Sequence, residues 1–139
     1  MKVLVLNGIN LQNIGNREPN IYGRENFDNY IKKLQEEYEI DYFQSNIEDK
    51  IIEKIYEAEN KYKGIVLNAG AYSHSSVAIR DCISNIKIPV ILIHISNVHK
   101  REIFRQVEII APVCSGIISG FGLLSYRLGI EAIIRITEK

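Results

Sequence analysis

Short apolar runs alternate with amphipathic stretches along the whole chain. Lys2 to Asn7 is apolar without polar alternation, the pattern of a strand covered on both faces. Phe27, Tyr30, Ile31, Leu34 and Tyr38 recur at i, i+3, i+4, i+7 and i+11, which is one face of a helix. Ile40 to Gln44 predicts a second strand. Ile47, Ile51, Ile52, Ile55, Ala58 and Tyr62 predict a second helical stripe, and Gly64 to Asn68 a third strand. Ser75 and Ser76 offer N-caps for a helix running through Ile79, Cys82, Ile83 and Ile86. Pro89 opens a fourth strand, Val90 to His94. Val113 to Ile118 predicts a fifth, and a last helix spans roughly Gly120 to Ile136.

Five strands alternating with helices predict a parallel sheet covered on both sides. At 139 residues the chain fits one compact domain, residues 1–139, with a flavodoxin-like α/β three-layer sandwich as the natural architecture. Such folds bind ligands beyond the carboxyl ends of the strands. Polar residues should therefore cluster after strands rather than before them, and they do. Strand one runs into Asn7-Gly8-Ile9-Asn10, strand three into Asn68-Ala69-Gly70-Ala71-Tyr72-Ser73-His74-Ser75-Ser76, and strand four into His94-Ile95-Ser96-Asn97-Val98-His99. The connections that enter the strands are plainer.

About nineteen residues separate strand one from its helix, longer than the usual two to six. This loop carries Arg17 and Tyr22. A tyrosine serves as a base only if its pKa falls from about 10. A nearby arginine supplies a shift of roughly 1–3 units in an acid. On spacing alone, a lid with one surface arginine and one packed tyrosine is the more natural reading. The loop after strand three reads as a helix entry: Gly70 admits close approach, and Ser75 and Ser76 add hydroxyls where the dipole favours an anion. Asn68 and His74 offer donors. His94, at a strand terminus, has the chemistry of a general acid near neutral pH; a core histidine satisfied by a carbonyl is the alternative. Arg101 and Arg105 share a face if their segment is helical. Asp81 beside Arg80 reads as a solvated salt pair.

Charge and cysteine content narrow the classes. Seventeen basic and seventeen acidic residues cancel, so nothing points to nucleic acid or an anionic membrane surface. No apolar run approaches the roughly 20 residues of a membrane span, and the first residues read as a strand, not a signal peptide. Cys82 and Cys114 lack zinc or CxxC spacing and read as reduced, buried thiols in a cytoplasmic protein. No nucleotide-binding glycine motif and no metal-ligand spacing is present. The residues alone lead to an anion-binding acid/base site.

Several blocks go further. Leu6-Asn7-Gly8-Ile9-Asn10-Leu11, Arg17-Glu18-Pro19-Asn20-Ile21-Tyr22-Gly23, Phe43-Gln44-Ser45-Asn46, the run from Asn68 to Asp81, and His94-Ile95-Ser96-Asn97-Val98-His99-Lys100-Arg101-Glu102 resemble the type II 3-dehydroquinate dehydratases. Gly116, Gly120-Phe121-Gly122 and Tyr126-Arg127-Leu128 are similar as well. The resemblance covers nearly the whole chain in order. It implies a cofactor-free and metal-free anti elimination of water from 3-dehydroquinate through an enolate, a step in aromatic amino-acid biosynthesis. It assigns Tyr22 as the base, Arg17 as the residue keeping that tyrosine ionised, Asn10 as the organiser of a water at the enolate oxygen, and His94 as the acid. Asn68, His74, Ile95, Ser96 and Arg105 match substrate contacts. Asp81 matches a residue that reaches a neighbouring subunit's site, and the family assembles as trimers packed into a dodecamer.

The chain also departs from the pattern. Ile9 stands where the family usually has proline, which loosens the first turn. Leu92 stands where it usually has glutamate, two residues before His94 and on the same face of the strand. A nearby carboxylate favours imidazolium, so weaker acid catalysis or a shifted pH dependence is expected. Glu108 follows Arg105 where histidine and serine are typical, placing a negative charge near a carboxylate-binding region. These departures keep open a binding protein that retains the fold without the activity. A flavodoxin-like cofactor or signalling module would instead call for bound flavin or an acidic pocket at the strand ends.

Overall fold

The computed structural model describes residues 1–12 and 27–138. Five strands, β1 (Lys2–Asn7), β2 (Ile40–Gln44), β3 (Tyr62–Asn68), β4 (Val90–His94) and β5 (Gly116–Ser119), form one parallel sheet in the order β2-β1-β3-β4-β5. Among the described residues, four α-helices pack on it: α1 (Phe27–Glu37), α2 (Glu48–Ala58), α3 (Val77–Ser84) and α4 (Leu124–Thr137). This is the flavodoxin-like order expected from the alternation of elements.

Strand periodicity divides the core in two. Val3 and Val5 of β1, Val66 of β3, and Ile91 and Ile93 of β4 face α1 and α4. Leu4 and Leu6, Ile65 and Leu67, and Val90 and Leu92 face α2 and α3. Because side chains alternate along a strand, the same parity fixes where the polar strand ends point. Asn7 and Asn68 continue the α1/α4 face, while His94 continues the α2/α3 face. The switch from apolar to polar at each strand's last residue therefore builds a site on both sides of the sheet edge.

Several element boundaries differ from the sequence expectation, among them the end of α3, which stops at Ser84 short of Ile86. Helix α2 ends at Ala58, and Tyr62 opens β3 instead of closing the helical stripe. The fifth strand begins only at Gly116, because Pro112 lies in a 3-10 turn at Ala111–Val113 and has no N–H to give a ladder. The last helix begins at Leu124, since Gly120 and Gly122 take φ values of +99° and +63°, outside a right-handed helix. Of the two serines offered as caps, Ser76 accepts from the Ile79 N–H at 2.9 Å, and Ser75 lies at the end of the preceding turn.

Both cysteines are free thiols. Cys82 is buried, whereas Cys114 is half-buried rather than buried as expected. Burial pushes the Cys82 thiol up to about 11 and the Cys114 thiol up to about 12. Burial, reinforced by Asp41, pushes the Tyr62 phenol up to about 12. These groups stay neutral in the folded protein at a pH where the unfolded chain ionises them. Stability is thus full below about pH 8 and is expected to fall as pH rises from about 9 towards 12. Urea midpoints measured between pH 7 and 11 check this; a flat profile would contradict it.

Candidate active site

The backbones following β1 and β3 touch. The Gly8 N–H donates to the Asn68 carbonyl at 2.7 Å. Gly70 adopts φ +63°, and a Cβ there would stand 2.5 Å from the Ile9 carbonyl oxygen. Only glycine permits that approach. The contact opens a cleft of about 260 Å³ above the carboxyl ends of β1, β3 and β4. Asn10, Asn68, His74, His94, Ile95, Ser96 and Arg105 all line it, together with Arg101 and Glu102.

Asn68 is held from beneath. Its Nδ2 donates to the Tyr126 hydroxyl at 3.1 Å, and its Oδ1 accepts the Gly70 N–H at 3.2 Å. The Tyr126 hydroxyl donates in turn to Asn7 Oδ1 at 2.6 Å, and Asn7 Nδ2 donates to the Tyr42 hydroxyl at 3.1 Å. Asn7, Asn68 and Tyr126 are buried. Burial holds the Tyr126 phenol far above its ordinary value. Asn10 adopts φ +64°, a left-handed conformation that asparagine tolerates, and its N–H donates to Asn46 Oδ1 at 2.9 Å.

On the other face of the sheet, the rings of His74 and His94 stack with centroids 5.8 Å apart. Nδ1 of His74 lies 2.8 Å from the Val107 carbonyl oxygen. His94 is buried, and its Nε2 lies 2.8 Å from Oε1 of Glu108, an approach too oblique for an aligned hydrogen bond. Segment 98–106 forms two short 3-10 turns, Val98–Lys100 and Ile103–Gln106, with Arg101 extended between them, so the helical face expected for Arg101 and Arg105 does not form. Both arginines reach the cleft nonetheless. Arg101 donates weakly to the Ser96 hydroxyl at 3.5 Å, and Arg105 Nε donates to Glu102 Oε2 at 2.6 Å.

Two expectations change. The Ser76 hydroxyl donates to the Glu48 carboxylate at 2.6 Å, so the entry of α3 is occupied by an anion of the chain itself and lies apart from the cleft. Asp81 is exposed on α3 away from the cleft, and Arg80 does not pair with it but donates to the Ile109 carbonyl at 3.1 Å. Glu108, expected to bring a negative charge near the carboxylate-binding region, stands against His94, which lines the same cleft as Arg105. Tyr22 and Arg17 lie outside the described residues. Sequence reasoning missed Asn7 and Tyr126 as supports of the site; the signal was an asparagine at matched positions ending two adjacent strands, which pair in register. Among the described residues, no group of three His, Cys, Asp or Glu side chains could hold a metal ion.

A family model described as Dehydroquinase class II matches residues 1–134. The chain belongs to the class II dehydroquinases. A 3-dehydroquinate dehydratase of Pelodictyon phaeoclathratiforme is 47% identical over 143 residues, covering 99% of this chain and 95% of that protein. The crystal structure of a type II dehydroquinase from Butyrivibrio crossotus superposes with a TM-score of 0.92 at 45% identity, covering 96% of this chain and 97% of that one. One from Propionibacterium acnes gives 0.90 at 33% identity, covering 97% of each. The family's fold is the one described above.

Proposed function

We propose that this chain dehydrates 3-dehydroquinate by anti elimination. The observation that carries the reading is the cleft in which Asn68, Ser96, His74 and Arg105 surround His94, in a chain matched to the class II dehydroquinases along its length. The ionised Tyr22 oxygen takes the proton beside the ketone. The electron pair of that C–H bond forms a carbon–carbon double bond as the carbonyl electrons move onto oxygen, giving an enolate. Asn10 orders a water at that oxygen. The enolate then re-forms the ketone, and its carbon–carbon pair moves to expel the hydroxyl. His94 protonates the hydroxyl, which leaves as water. Tyr22 ends protonated and His94 ends neutral, so one proton returns from the first to the second through solvent before the next turnover.

Arg17 favours the ionised form of Tyr22 by placing a positive charge beside it. Asn68, His74, the backbone at Ile95, Ser96 and Arg105 bind the hydroxyls and carboxylate of the substrate. Arg101 adds a second positive charge at the same rim. The chemistry asks for no cofactor, since tyrosine and histidine carry both proton transfers.

Assembly belongs to the same reading. Ile103, Phe104, Val107 and Phe121 are large apolar side chains left exposed. They support a homo-oligomer, as does Asp81, which faces away from its own cleft and is free to approach a neighbour's. Trimers packed into a dodecamer are the proposed form, in the cytoplasm. Among the described residues, no helix is long and apolar enough to cross a membrane.

The test is direct. The product is a conjugated enone, which absorbs in the ultraviolet where the substrate does not. Folded protein incubated with 3-dehydroquinate is expected to show that absorbance rising in proportion to enzyme. No rise would overturn the proposal.

A further inference from the structure

We infer that Glu108 is a positioning residue for the elimination: it holds the Nε2 proton of His94 and thereby makes Nδ1 the nitrogen that faces the substrate. The inference rests on the dehydratase reading above and goes beyond it by assigning the atom and its partner.

The geometry supplies the argument. Nε2 of His94 is sealed from solvent and lies 2.8 Å from Oε1 of Glu108. A proton on that nitrogen has no path to a substrate. His94 nevertheless lines the cleft, so its transferable proton must sit on Nδ1. Glu108 does not line the cleft, so it acts through His94 and not on the substrate. Its side chain is only 15% exposed, and Oε2 is buried with no hydrogen-bond partner among the described residues. A buried carboxylate so poorly satisfied is costly unless a cation stands beside it. The His94 ring is the group that stands beside it.

The backbone around Glu108 is pinned for this purpose. The Val107 carbonyl meets His74 Nδ1 at 2.8 Å, the Ile109 N–H donates to the Ser73 carbonyl at 2.9 Å, and the Ile109 carbonyl accepts from Arg80 at 3.1 Å. Contacts on both sides of residue 108 thus deliver its side chain to the ring. Leu92, two residues before His94 on the same strand face, is fully buried and brings no charge. The carboxylate beside His94 therefore comes from the loop and not from the strand.

Other charges act on the same ring. His74 stacks on it from the turn after β3. Cys114, from the connection into β5, sits in the field of Glu108, and burial together with that charge pushes its thiol up to about 12. Arg101, Glu102 and Arg105 face the same cleft from the turns after β4. Of all these groups, only Glu108 is placed within an ion-pair distance of the His94 ring.

The experiment compares Glu108→Gln and Glu108→Asp with wild type on 3-dehydroquinate across pH. The glutamine keeps size and removes charge. It is expected to lower kcat about 10- to 100-fold with little change in KM. Without the negative charge the imidazolium is less favoured, so the alkaline limb of the kcat profile should move to lower pH. Aspartate should recover part of both effects. Unchanged kcat and pH profile in Glu108→Gln would overturn the inference. So would a loss of kcat with an unmoved profile that aspartate does not rescue, which marks a packing role. Nitrogen-15 spectra of the wild-type histidines read the pair without turnover: Nε2 of His94 should be protonated whenever the protein is folded, and an unprotonated Nε2 is fatal to the idea. An inactive wild type would defeat the dehydratase reading, while the spectra would still decide the pairing.

Discussion

Replacing His94 by asparagine is expected to lower kcat on 3-dehydroquinate by about 100- to 10,000-fold, the usual worth of a general acid. The departing hydroxyl is a poor leaving group without a proton, and asparagine occupies similar space without supplying one. KM should change less, because Asn68, Ser96 and Arg105 remain in the cleft to bind substrate. Tyr22→Phe is expected to cause a loss of the same order from the other end of the elimination, with removal of the first proton becoming the slow step. Steady-state assays with circular dichroism as the folding control check both. If either folded variant keeps wild-type kcat, the role proposed for that residue is wrong. The double variant should lose much less than the product of the single losses, because base and acid serve one reaction.

The balance between what the residues alone reveal and what needs the fold is visible at this same histidine. Strand and helix order were legible because apolar periodicity is dictated by packing on a sheet. β1, β2 and β4 have the bounds that their apolar runs predict. The cleft was legible because polar residues follow strands and do not precede them. Boundaries set by local backbone chemistry were less so: Pro112 delays β5, and the left-handed Gly120 and Gly122 delay α4. The partner of His94 was not legible at all. Position 92 is adjacent by strand periodicity, so its leucine pointed to a histidine without a carboxylate. Glu108 reaches the ring from fourteen positions later, through a loop that repeats no pattern. No periodicity marks such a contact; the Val107 and Ile109 backbone is held there by the His74 ring, the Ser73 carbonyl and the Arg80 side chain. The environment of His94 is therefore a tertiary property: a carboxylate stands beside the ring from a distant loop, although position 92 brings none.

Tyr126→Phe is expected to destabilise the protein by about 2–4 kcal/mol. The hydroxyl both donates to Asn7 at 2.6 Å and accepts from Asn68 at 3.1 Å, deep beneath the cleft. Removing it leaves an acceptor and a donor unpaired where burial is complete. Each orphaned group costs roughly 1–3 kcal/mol. The ring itself keeps its place, since Phe27 packs against it at 5.2 Å and phenylalanine preserves that contact. The loss is therefore electrostatic in origin and not a cavity. It should appear as a lower urea midpoint with an unchanged slope, because the surface exposed on unfolding hardly differs. Activity should fall too, though by less than in His94→Asn, since Asn68 loses the contact that aims it while its bond to the Gly70 N–H survives. A variant as stable as wild type would mean that the two asparagines find other partners. In that case the network under the cleft would not be what holds Asn68 in position.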